Sequence, residues 1–151
     1  MLPQRILVLV LVVATVGAGA WWFLLRSEPP VLGNFVRQEQ RFADNARAVP
    51  ETADQVTSVT ALRRWNKEVQ IHLDEMDLAF AEMVQIQSVS TDEAARIVDE
   101  AVTTAAEVIA LTGDYRDEVN KGALTTAASA AGAIEALLTK LDARARAWKK
   151  L

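Results

Sequence analysis

The pattern of apolar and polar positions divides the chain into one uninterrupted apolar run and a longer amphipathic region. Residues 6–25 are all apolar or small, and none of them is charged. Beyond the prolines at 29 and 30, apolar residues recur every three to four positions, which is the period of an amphipathic helix. No stretch alternates apolar and polar residues over a useful length, so the sequence predicts an all-α protein.

The apolar run Ile6–Leu25 predicts a transmembrane signal-anchor helix, preceded by a short N-terminal tail at 1–5. At helical rise the run spans about 30 Å, the thickness of the hydrocarbon core of a bilayer. Ala18-Gly19-Ala20 has the small-x-small form that signal peptidase cuts, so a cleaved signal peptide is the alternative. The apolar region of a signal peptide is usually shorter, and cleavage there leaves an exposed apolar N-terminus. We therefore expect the anchor to be retained.

Side chains at both ends of the run fit the two membrane interfaces. Trp21 and Trp22 lie where aromatic residues gather at lipid headgroups, and Arg5 and Arg26 flank the apolar residues. The flanking charges give no clear orientation by the positive-inside rule. The order of a basic residue, an apolar core and small residues is typical of export signals, and it favours a cytoplasmic N-terminus with an extracytoplasmic, periplasmic domain.

Four amphipathic helices are predicted in the domain 34–151, after a linker at 26–33. The first helix is predicted from an Asn34 cap to about Val49, and Glu39 is the exception on its apolar stripe. This helix is shorter than the other three. Four such helices with short connections predict a transmembrane helix followed by an antiparallel helical bundle of three to four long helices.

Local signals set the later helix boundaries. Pro50 is predicted to open the second helix. Ser90 and Glu93 form a capping box for the third helix, which is predicted to end at Lys121-Gly122. Five apolar residues on the stripes of the second and fourth helices are expected to be buried: Val69, Met76, Phe80, Leu138 and Leu141.

Composition removes several kinds of chemistry. The 151-residue chain has no Cys and one His, which excludes disulfides, thiolate catalysis and Cys-ligated metals. His72 has Met76 one turn away, but it lacks a second strong metal ligand, and pairing with a carboxylate at the edge of the core is the simpler interpretation. A formal net charge of -4 without a basic stripe argues against nucleic-acid binding. No phosphate loop, nucleotide fingerprint or serine elbow is found, so we expect no cofactor, no metal and no enzyme activity.

Two segments near the C-terminus are candidate interaction surfaces. An uncharged segment of small residues in the fourth helix includes Ala128 and Gly132, which let a neighbouring helix approach closely. That neighbour is either the third helix or a helix of another protein or copy. Trp148, Lys149 and Lys150 predict contact with lipid headgroups, and the alternative is that the basic residues complement a helix dipole in water.

Together these features predict a non-catalytic, single-pass membrane protein whose exported helical bundle docks partner proteins. It would be an accessory or assembly subunit of a larger membrane complex. The alternative is an extracytoplasmic four-helix bundle that senses a ligand and signals through a partner, an analogy made at the level of the fold. The expected partners are the membrane and other proteins of the membrane complex, and a homo-oligomer is left open.

Overall fold

The structure, a computed structural model, describes residues 30–53, 56–88 and 92–148. These residues form four α-helices and no strand, so the all-α prediction is confirmed for this part of the chain. The helices are α1 (Pro30–Glu51), α2 (Val59–Gln87), α3 (Asp92–Lys121) and α4 (Leu124–Trp148). Residues 34–151 form one compact unit.

The helices pack as an antiparallel bundle in which each one contacts its two neighbours in the order α1, α2, α3, α4. Hydrogen-bonded side chains join each helix to its neighbours, and where two pairs join the same two helices, the residue numbers rise in one helix as they fall in the other. α4 closes the ring by packing against α1. The pairs are Asn45–His72 and Arg41–Glu75 for α1 and α2, Gln87–Asp99 and Gln70–Arg116 for α2 and α3, Thr104–Arg144 for α3 and α4, and Arg47–Asp142 for α4 and α1.

The core is built from one apolar stripe on each helix. Four of the five residues predicted to be buried are buried, namely Val69, Met76, Leu138 and Leu141. The prediction for Phe80 is wrong, because Phe80 is only half-buried and Ala79 takes the inward position. The stripe of α2 continues from Ala79 by steps of four and three residues, which leaves Phe80 at its edge.

Both ends of α1 differ from the prediction. Pro30 is its first residue, where the missing N–H of proline costs no helical hydrogen bond, so residues 30–33 are helical rather than linker. Asn34 therefore lies inside the helix and is not its cap. Pro50 belongs to the last turn of α1 and does not open α2. A proline one residue before the end interrupts the hydrogen bonding only where the helix is already terminating.

α2 begins at Val59 because Ser58 caps it. Ser58 has an extended backbone, and its side chain accepts a hydrogen bond of 3.1 Å from the backbone N–H of Ala61. Thr52 connects the end of α1 to α2, since its hydroxyl accepts a hydrogen bond of 3.1 Å from the indole N–H of Trp65. The start of the second helix is thus set by the serine cap and not by the proline.

The end of α3 agrees with the prediction. α3 ends at Lys121, and Gly122 follows with a φ of 75°, a left-handed conformation that glycine adopts without strain. The predicted capping box at the start of α3 depends on Ser90, which lies outside the described residues. In the described ranges, no helix combines the length and the apolar character needed to cross a bilayer, and the predicted anchor at 6–25 lies outside them.

Candidate functional site

One of the seven predicted membrane-interface residues lies within the described part of the chain. Trp148 is the last residue of α4. The other six residues predicted for the interfaces lie outside the described residues, namely Arg5, Trp21, Trp22, Arg26, Lys149 and Lys150. Their contact with lipid stays a prediction.

Ala128 and Gly132 lie on the exposed side of α4, away from the core. α3 and α4 are the most closely packed pair of helices, and their buried residues include small ones, namely Ala101 and Ala105 on α3 and Ala127 on α4. The predicted partner face is therefore not used inside the bundle. A Cβ atom added at Gly132 would meet no atom within 4 Å. The role of this face in binding a partner stays a prediction.

His72 lies half-buried between α1 and α2. Its Nδ1 is 2.8 Å from Oδ1 of Asn45, so the predicted carboxylate partner is wrong and the partner is an amide. The amide nitrogen of Asn45 donates to the backbone carbonyl of Arg41, which leaves its oxygen to accept from Nδ1–H of the ring. Glu75, the nearby carboxylate, accepts a hydrogen bond of 2.9 Å from Nε of Arg41. Within the described residues, no group of three His, Asp or Glu side chains is placed to hold a metal.

Glu39 is the most unusual polar residue of the bundle. It occupies a core position on α1, four residues after Phe35 and three before Phe42, and its exposed fraction is 2%. Neither carboxyl oxygen has a hydrogen-bond partner among the described residues. Burial raises the pKa of Glu39 to about 7, while the positive charge of Arg144 lowers it and the negative charge of Asp142 raises it further. Near neutral pH the group is therefore poised between the carboxylic acid and the carboxylate.

A cleft of about 400 Å³ between α1 and α4 reaches Glu39. Val36 of α1 and Ala145 of α4 give it an apolar lining, and Asp44 and Arg146 contribute charged groups. Glu39 is the most deeply buried of these five residues, whereas Asp44 and Arg146 are exposed. The Glu39 side chain thus forms part of the wall of the cleft, while its two carboxyl oxygens are covered by neighbouring atoms.

Two arginines near Glu39, namely Arg47 in the cleft lining and Arg144 of α4, are held by other carboxylates, while Arg146 of the lining donates to the backbone carbonyl of Asp142. Nη2 of Arg47 donates to Oδ2 of Asp142 at 2.5 Å, and its Nε donates to Glu135 at 3.4 Å. Arg144 forms an ion pair of 3.2 Å with Glu100 of α3. These ion pairs explain why two nearby guanidinium groups leave the buried carboxyl of Glu39 without a donor.

The sequence marks Glu39 as an exception on the apolar stripe of the first helix, but it does not indicate a function for this residue. The signal was its place on the stripe of α1, where positions 35, 39, 42, 46 and 49 alternate by four and three residues. A Glu at such a position must face the core if the helix packs by that stripe. The stripe does not show that Glu39 lacks a donor, because this depends on Arg47 pairing with Asp142 and Arg144 pairing with Glu100, which are distant in the sequence.

Comparison of the chain with protein-family models, with curated proteins and with solved structures finds no match. The described residues form an antiparallel four-helix bundle in which Glu39 lines a cleft and its buried carboxyl group has no hydrogen-bond partner among them.

Proposed function

We propose that this protein is a non-catalytic, single-pass membrane protein whose exported helical bundle docks other proteins, as an accessory or assembly subunit of a membrane complex. The observation that carries the proposal is the uncharged apolar run Ile6–Leu25, placed a few residues before a compact helical domain in the sequence. A retained anchor of this kind would hold the bundle beside other membrane proteins.

The surface of the bundle supports a docking role. Ala128 and Gly132 are small residues on the outer face of α4, and a partner helix can approach such a face closely. On α2, the apolar side chains of Ile71 and Leu78 are 62% and 55% exposed and lie two turns apart, outside the core. We propose that the partner contributes a helix to the α4 face.

Affinity purification of the tagged full chain in mild non-ionic detergent tests this function. Gly132→Leu should remove the co-purifying partner, because a leucine there blocks the close approach of another helix. Gly113→Leu is the matched control: Gly113 is also helical and exposed, and a Cβ at either glycine meets no atom within 4 Å. Equal recovery of the partner by both variants would exclude the α4 face, and the absence of any partner with the unchanged chain would refute docking.

The retained anchor has its own test. The intact mass of the protein extracted from membranes should correspond to a chain that includes residues 6–25. A species that begins at Trp21 would show cleavage after Ala20 and would refute the anchor, leaving the bundle free of the membrane.

A ligand-sensing bundle is the second candidate, and the cleft over Glu39 favours it. A buried polar group without a partner lowers stability, so a bundle that serves only for docking gains nothing from it. A ligand that supplies the missing hydrogen bonds would bind the folded state and stabilise it. Such a sensor would signal by changing how the bundle binds its partner.

A further inference from the structure

We propose that the cleft between α1 and α4 binds a small organic ammonium ion, whose N–H groups donate to the carboxylate of Glu39. This inference names the ligand class for the sensing function and rests on that candidate. The ammonium group belongs either to a free amine or to a lysine side chain of another protein, and both offer the same chemistry.

The geometry supplies the first reason. Both oxygens of Glu39 are buried and lack donors among the described residues, and the Glu39 side chain lines a cleft of about 400 Å³. The oxygens are themselves covered, so a ligand in the cleft meets them when the Glu39 side chain turns toward it. Small-molecule sites in proteins begin at roughly this size, about 300 Å³. An ammonium ion carries up to three N–H donors, enough to serve both oxygens at once. An acceptor pair without donors among the described residues and a cleft lined by the same side chain therefore suit one ammonium group.

The charges around the cleft supply the second reason. The cleft is lined by three acidic side chains, Glu39, Asp44 and Asp142, and by two arginines. Arg47 is paired with Asp142 and Glu135, and Arg146 donates to the backbone carbonyl of Asp142, so the acidic groups are in excess. A cation neutralises the carboxylate that burial disfavours. A bare divalent cation needs several oxygen ligands in a defined arrangement, and the described residues offer no such group. An organic cation that forms hydrogen bonds suits the site better.

The lining supplies the third reason. Val36 and Ala145 present apolar side chains in the cleft, and an alkyl chain attached to the ammonium group would cover them. The site therefore selects a primary alkylammonium over the ammonium ion itself. Asp44 lines the same cleft and can pair with the second charge of a diamine.

Binding should compete with protonation of Glu39, since the ammonium ion requires the carboxylate. The pKa of Glu39 is raised to about 7, and the charged groups that act on it are Arg144 and Asp142 of α4. Affinity should therefore increase with pH and level off above the pKa. Between about pH 8.5 and about pH 5.5 the ionised fraction falls about 30-fold, and the affinity should fall by the same factor.

The experiment is calorimetric titration of the full chain in non-ionic detergent and amine-free buffer, with sodium chloride matching the ionic strength. The probes are 1,4-diaminobutane and Nα-acetyl-lysine amide, at about pH 8.5 and about pH 5.5. Binding of either probe with the expected 30-fold pH dependence supports the site. Tighter binding of the diamine assigns the site to a free amine, and tighter binding of the lysine derivative assigns it to a protein side chain.

Two variants decide whether Glu39 is responsible. Glu39→Gln should abolish binding of both probes, whereas Glu82→Gln, which changes an exposed carboxyl on α2, should leave it unchanged. Asp44→Asn should weaken the diamine more than the monovalent lysine derivative. The proposal is overturned if neither probe binds at the higher pH, or if Glu39→Gln binds as the unchanged chain does. Either failure leaves the docking function standing, because co-purification of a partner tests that function separately.

Discussion

Replacing Glu39 with Gln should stabilise the bundle at alkaline pH and change it little at acid pH. The two side chains have nearly the same shape, and both are neutral when Glu39 is protonated. Above the pKa, however, the unchanged chain buries a carboxylate that has no donor in the described part of the chain, whereas the variant buries a neutral amide. Glutamine is thus a permanent mimic of the protonated state.

The size of the effect follows from the pKa. In the unfolded chain Glu39 titrates near 4.5, and in the bundle its pKa is raised to about 7. The folded state therefore holds the proton more tightly, so the stability present below pH 4.5 is lost as the pH rises through 7. The difference corresponds to about 3 kcal/mol, because one pKa unit is worth about 1.4 kcal/mol. For a domain of this size, that free energy shifts the midpoint of thermal unfolding by about 10 °C.

Thermal unfolding of both full-length proteins, followed by circular dichroism in non-ionic detergent and amine-free buffer, measures this difference. The midpoints should agree at about pH 4.5 and separate progressively, with the variant higher by about 10 °C at about pH 8. Glu82→Gln serves as the control and should follow the unchanged chain throughout. A Glu39→Gln protein that is no more stable at alkaline pH would refute the view that Glu39 is a buried and unpaired carboxyl.

Three further predictions concern packing, capping and the C-terminus. Phe42→Ala should lower the free energy of unfolding by about 3–5 kcal/mol, because Phe42 is fully buried. Phe80→Ala, at the edge of the stripe, should lower it by about 1–2 kcal/mol. Denaturant unfolding of the two variants measures this difference. Ser58→Ala should cost about 1 kcal/mol in the same assay, since it removes the cap of α2, and a value near zero would contradict the cap. Lys149→Glu with Lys150→Glu should weaken salt-sensitive binding of the bundle to anionic vesicles, each lysine contributing about 1 kcal/mol, and no binding at low salt would exclude contact with lipid.

The end of α3 and the stripe of α4 could be predicted because their signals are local. An unbroken helical period followed by Lys121-Gly122 allows few other interpretations, and the structure has the helix end there. The junction between α1 and α2 could not be predicted in this way. Pro50 suits the first turn of one helix or the last turn of another, and Ser58 offers a competing start. Contacts from distant residues accompany the observed choice, such as the hydrogen bond from the hydroxyl of Tyr115 to the carbonyl of Pro50.

The site was only partly visible in the sequence for the same reason. The period of α1 placed Glu39 among core positions, but it could not show that the nearby arginines are paired elsewhere. The partner of Arg47 lies 95 positions along the chain, and the partner of His72 lies 27 positions away. A pairing across such distances depends on how the helices meet, which no local pattern encodes.

The ring of helices has a consequence for the order in which the protein is completed during synthesis. α3 and α4 are adjacent in the sequence, joined at Gly122 and closely packed, so they can pair as soon as both have been made. α1 is made first, yet one of its two neighbours is α4, which is made last. Until then the stripe of α1, with its two phenylalanines and Glu39, lacks half of its final covering. Of the four bundle helices, α1 is therefore synthesised first but becomes fully packed only after α4 has been made. The cleft between α1 and α4 forms at that last step of assembly.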